Sequence, residues 1–116
     1  MTLLRFIEDI GEENVGINMD TANLIIYGKA NSADAITVFG KYVMDTHIKD
    51  GFYPTCGKEL GEEVAVGKGM ANIPEVVKRL RAVGYTGNYI IEREISGDQQ
   101  TKDIQETVAF LKSILR

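Results

Sequence analysis

Three short stretches hold most of the side chains in this chain that could do chemistry. Asp20 closes NMD, His47 stands in DTHIKDG with Lys49 and Asp50 just after it, and Glu92 and Glu94 alternate in IIERE. His47 is the only histidine. Two carboxylates and one imidazole make a divalent-metal set. Oxygen-rich ligation suits Mn2+ or Mg2+, and the imidazole also admits Zn2+ or Co2+. Such an ion polarises a carbonyl or hydroxyl, and a glutamate beside it can move a proton. Lys49 and Asp50 have the chemistry to bind a substrate hydroxyl or phosphate, or else form an exposed loop pair. Gly67-Lys68-Gly69 could let backbone approach an anion, or make a simple turn. Glu12-Glu13 and Glu62-Glu63 read as solvated.

These residues act together only if the fold collects them. Residues 2–13 read as a helix, with Leu3, Leu4, Phe6, Ile7 and Ile10 at helical spacing and Gly11 near its end. Residues 14–20 read as a strand and 21–30 as a loop with an apolar middle. Asn31 is placed to cap a helix running to about Gly40, with Asp34 in its first turn. Residues 42–47 form a second strand. Residues 49–70 form a long loop with a short extended piece at 63–66, a length that suggests function or mobility. Asn72 as cap, Pro74 in the first turn and Glu75 in the capping-box position open a helix. Val76, Val77, Leu80 and Val83 line its apolar face, and Gly84 closes it. Residues 88–94 form the third strand. A last helix over 101–115 carries Ile104, Val108, Leu111 and Leu115 on one face.

Strands separated by helices imply right-handed crossovers and parallel pairing. The strands are apolar for most of their length, as parallel strands covered on both faces should be. The fold class is therefore α/β, about three parallel strands alternating with four helices in one domain over 1–116. In a parallel sheet the C-terminal strand ends share one edge, where ligands bind. Asp20, His47 and the Glu92/Glu94 pair all fall there. Glu92 and Glu94 share a strand face because side chains alternate with period two.

The 116 residues suit one ordinary domain, and the 44% hydrophobic and 26% charged content is that of a soluble globular protein. A net charge of −4 with no long basic run argues against a nucleic-acid partner. No apolar run approaches a membrane span, and the start lacks the basic leader of a signal peptide. A lone cysteine, Cys56, excludes an intrachain disulfide and fits a reducing cytoplasm.

The motifs NMDTAN, THIKDG, VGKGMANIP and GYTGNYIIEREISG, with the final helix, resemble the C-terminal part of the sugar phosphate isomerase/epimerase superfamily. These are the xylose isomerase-like TIM barrels, endonuclease IV among them. The resemblance covers nearly the whole chain. It implies a partial (β/α)8 barrel, the last three strands with their helices, preceded by the helix of the fifth unit. It implies that Asp20, His47 and Glu92 match three of the four metal ligands of the family's epimerases, with Mn2+ the foremost metal. The fourth, a glutamate on the fifth strand that pairs with the last one in proton transfer, lies outside this chain. The "IE" register selects Glu92 as ligand and proton carrier, leaving Glu94 to contact substrate or be solvated. Asn23 stands where many members have a histidine, an amide suited to a sugar hydroxyl rather than a metal. Residues 61–66 lack the Asp-x-His of endonuclease IV, which argues against a three-zinc nuclease.

Three strands cannot close a barrel, and both outer ones would expose unpaired backbone groups. The expectation is a homo-oligomer or a complementary chain supplying the rest of the barrel. Three functional readings follow: a sugar or sugar-phosphate isomerase or epimerase incomplete as a lone chain, a vestigial half-barrel that self-associates without turnover, and a non-catalytic sugar or metal-binding module.

Overall fold

The three apolar runs do pair in parallel, as the helices between them require. A computed structural model describes residues 2–116. The elements are α1 (Thr2–Ile10), β1 (Ile17–Asp20), α2 (Asn23–Ile26), α3 (Ser32–Phe39), β2 (Val43–Ile48), β3 (Asp50–Phe52), β4 (Glu62–Val64), α4 (Ile73–Ala82), β5 (Tyr89–Ile91) and α5 (Asp98–Ile114). One sheet runs β1-β2-β5, parallel throughout. A second, antiparallel pair joins β3 to β4.

Alternation along the strands sorts their side chains. Ile17, Met19, Val43 and Ile48 are buried, packed against Ile36 and Phe39 of α3, Val76, Val77 and Leu80 of α4 and Leu111 of α5. Complete burial of a side chain such as Ile48 contributes about 1.5–3 kcal/mol. The opposite face carries Asn18, His47 and Ile90. Met44 and Ile90 remain 52% and 41% exposed. Helices thus cover one face of the sheet, not the two that the apolar runs suggested.

The local expectations divide along physical lines. Asn31 caps α3: its backbone is extended and its side chain accepts the Asp34 N–H. Asn72 does not cap α4. Its backbone is left-handed (φ 52°), a conformation that aims no side-chain oxygen at the first turn, and Glu75 instead pairs with Arg79 at 2.9 Å. The expected capping box is therefore absent. Residues 23–26 form a short helix with Ile25 and Ile26 buried, where a loop was expected. The long loop contains the β3–β4 hairpin, whose three-residue strands are too short for alternation to announce. Regular β5 stops at Ile91, before the two glutamates. Val83 and Val108, expected on apolar stripes, are 43% and 37% exposed, while the buried residues of α5 are Asp103, Thr107 and Leu111.

Candidate functional site

β1 ends at Asp20, paired in register with His47, the penultimate residue of β2. Beyond β5 the Glu92 N–H still donates to the Ile48 carbonyl at 3.1 Å, so the ladder carries Glu92 to the same edge. Asp20, His47 and Glu92 each present a ligand atom, all within 4.8 Å of one another. His47 Nδ1 lies 3.4 Å from Glu92 Oε2. The Asp20 carboxylate is oriented by its own turn: Oδ1 accepts the Ala22 N–H at 2.8 Å and the Asn23 N–H at 2.9 Å, which leaves Oδ2 facing the group.

Lys49 completes the cluster from the inside. Its side chain is only 4% exposed, with Nζ 3.4 Å from Asp20 Oδ2 and 3.4 Å from Glu92 Oε2, and hydrogen-bonded to Glu94 Oε1. An ammonium has three donors, and here three carboxylates face them. Burial works to lower the Lys49 pKa, but the Glu94 hydrogen bond and the charges of Asp20, Glu92 and Glu94 outweigh it and hold the group above its ordinary value. The same hydrogen bond holds Glu94 below the usual carboxylate range. Thr21, fully buried, fixes the Lys49 backbone on both sides, donating from Oγ1 to the Lys49 carbonyl at 2.5 Å and accepting the Lys49 N–H at 3.0 Å. Counted formally, three carboxylates against one ammonium leave two negative charges in excess, His47 aside. That donor set and charge fit a hard divalent cation.

Asp50, expected to meet substrate beside Lys49, turns the other way. It is 1% exposed, and its carboxylate accepts the N–H groups of Gly51 (2.9 Å), Gly67 (3.0 Å), Gly69 (3.0 Å) and Ala71 (2.9 Å). The anion that Gly67-Lys68-Gly69 approaches is therefore the chain's own Asp50. A Cβ on Gly69 would collide with that carboxylate and with the Gly51 backbone, so only glycine fits. Asp50 anchors the hairpin loop and has no oxygen left for a ligand.

Asn23 sits beside Asp20 with its side chain exposed. Glu94 keeps 60% of its side chain exposed while paired to Lys49. Sequence reasoning missed the ion pairs that hold the end of β5 from behind. Glu63 is not solvated: its side chain is 14% exposed, its Oε2 lies 2.7 Å from Arg93 Nη1, and its Oε1 accepts the Glu94 N–H at 3.2 Å. Arg93 also donates from Nε to Asp103 at 2.8 Å. Burial opposes the Arg93 charge, but the bonds to Asp103 and Glu63 win and raise its pKa. The Arg93 bond, with help from Gln99, lowers that of Asp103. One signal was available. Arg93 lies between two glutamates, so period two sends it to the helix-covered side, where a guanidinium needs acids.

Residues 1–114 match the model of a family described as xylose isomerase-like TIM barrel. Comparison with curated proteins returns no match. Among solved structures, the crystal structure of a xylose isomerase domain protein from Planctomyces limnophilus is similar, with a TM-score of 0.91 at 39% identity. The similarity covers 97% of this chain and 42% of that one, so this chain spans less than half the length of that relative.

Proposed function

The chain belongs to the xylose isomerase-like TIM-barrel family, and from that premise we propose that it forms the metal-holding part of a sugar or sugar-phosphate isomerase or epimerase site. Asp20, His47 and Glu92 would hold the ion, Mn2+ first by donor type, with Mg2+, Co2+ or Zn2+ as alternatives. When bound, a divalent ion polarises the substrate carbonyl and acidifies the C–H beside it. Glu92 transfers a proton at that carbon. Asn23 and Glu94, both exposed at this edge, contact sugar hydroxyls. Lys49 acts from within, keeping three carboxylates together at close range. The observation that carries this reading is the convergence of Asp20, His47 and Glu92 within 4.8 Å at the C-terminal edge of a parallel sheet.

The test is solvent exchange. A panel of aldoses, ketoses and their phosphates is incubated with protein and Mn2+ in D2O and followed by NMR. Deuterium entering at the carbon beside the carbonyl, and lost with Glu92→Gln, is the expected result. Exchange that survives Glu92→Gln would contradict it.

A second reading is favoured by the open sheet face, with Met44 and Ile90 exposed. On it the 116 residues bind metal but need another copy or a complementary barrel chain for turnover. Mn2+ binding without exchange, with exchange restored by a chain supplying the missing strands, would identify that case.

A further inference from the structure

Glu92 and Glu94 lie past the last regular residue of β5, so ordinary sheet pairing does not hold both of them. Glu92 keeps one ladder bond, to the Ile48 carbonyl. Glu94 keeps none, yet both its ends are fixed by the segment between β2 and α4. Its carboxylate bonds Lys49, and its backbone N–H donates to Glu63 of β4. Between the two glutamates Arg93 points away from the site and ties Glu63 at 2.7 Å to Asp103 of α5 at 2.8 Å. All three ionic side chains are largely buried, at 14%, 13% and 5% exposure for Glu63, Arg93 and Asp103. A buried ion network of this kind offsets a large desolvation cost and is weak as a source of stability alone, whereas its fork geometry fixes direction.

We propose that Glu63 and Arg93 are positioning residues: they lock the β3–β4 hairpin onto the end of β5 and so set Glu92 and Glu94 against Lys49. The inference rests on the metal-site reading for its functional meaning, but its geometry is present in the metal-free chain. Loosening the tie lets Glu94 leave the Lys49 ammonium and lets Glu92 swing from the His47 side. Supporting groups behind metal ligands typically change metal affinity by about 10–100-fold.

The experiment uses the 116-residue chain with Glu63→Gln and Arg93→Lys. Arg79→Met serves as control, because it cuts an ion cluster with Asp34 and Glu75 away from the site. The first readout is the 1H–15N signal of the Lys49 ammonium in metal-free protein, a group 4% exposed and in contact with three carboxylates. The second is Mn2+ affinity by calorimetry. The expected result is that both site variants lose or shift the Lys49 signal and bind Mn2+ about tenfold more weakly, while Arg79→Met alters melting temperature only. An unchanged Lys49 signal in Glu63→Gln and Arg93→Lys would overturn the proposal. So would a shift of equal size in Arg79→Met, or loss of the fold in both site variants, either of which makes the role structural. If the wild-type chain binds no Mn2+, the metal reading fails, and the ammonium signal still decides this one.

Discussion

Without the ammonium of Lys49, Asp20, Glu92 and Glu94 would face one another with no counter-charge. Asp20 is 12% exposed, so water screens its repulsion poorly, whereas Glu92 and Glu94, at 38% and 60%, are partly screened. Lys49→Met should therefore destabilise the metal-free chain at neutral pH, by less than the roughly 3–5 kcal/mol that breaking a fully buried ion pair costs, because Glu92 and Glu94 stay in contact with water. The same change removes a cation that shares carboxylates with the proposed metal ion. Mn2+ should then raise the melting temperature of Lys49→Met more than that of wild type, by the linkage between binding and stability. Differential scanning fluorimetry with and without Mn2+ reads both effects, and equal Mn2+ shifts in the two proteins would remove Lys49 from the group. At this scale the sequence was informative where residue type and strand end coincide. The convergence of Asp20, His47 and the Glu92/Glu94 pair was legible because strand ends in a parallel sheet share an edge, and the choice of Glu92 came from the family's "IE" register. Asp50 was not, because nothing in Lys-Asp-Gly says that one side chain enters the site while its neighbour turns back to bind four backbone N–H groups.

Two asparagines that look alike before a helix separate at the scale of the element. Asn31 has extended backbone and a capping hydrogen bond, so Asn31→Ala should cost about 1 kcal/mol. Asn72 has φ 52° and no capping bond, so Asn72→Gly should cost little, and relief of the left-handed strain could raise stability by a few tenths, to about 0.5 kcal/mol. Urea denaturation of the two variants checks the contrast, and equal losses would contradict it. The contrast shows why helix existence was readable and cap geometry was not. Periodicity placed α3, α4 and α5, but backbone dihedral angles at a helix entrance depend on the loop before it. For α4 that loop is drawn up by Asp50. Similarly α5 has buried Asp103 on its covered face, since Arg93 must be met there. Of the hairpin only β4 was anticipated, as the extended piece at 63–66; its pairing with β3 was unreadable because the register comes from Asp50, Gly51 and Gly69 packing, not from a run long enough to alternate.

The whole molecule presents one covered and one open sheet face. Both outer strands of the three-stranded order, β1 and β5, leave ladder groups unpaired. Fold class and the partial-barrel reading were legible from the alternation of helices and strands and from the family motifs, and the match over residues 1–114 agrees. The open face was not legible, because exposed Met44 and Ile90 follow the same apolar run as their buried neighbours. The account predicts association: light scattering should give a mass above that of the monomer, reduced by Ile90→Lys on the open face. A monomer unaffected by that substitution would contradict it. The central claim, however, is the cation site, and titration calorimetry of the metal-free chain with Mn2+ tests it most directly. The account predicts one site per chain, abolished by Glu92→Gln and by His47→Ala. Binding that both variants retain, or no binding by the wild-type chain, would contradict it.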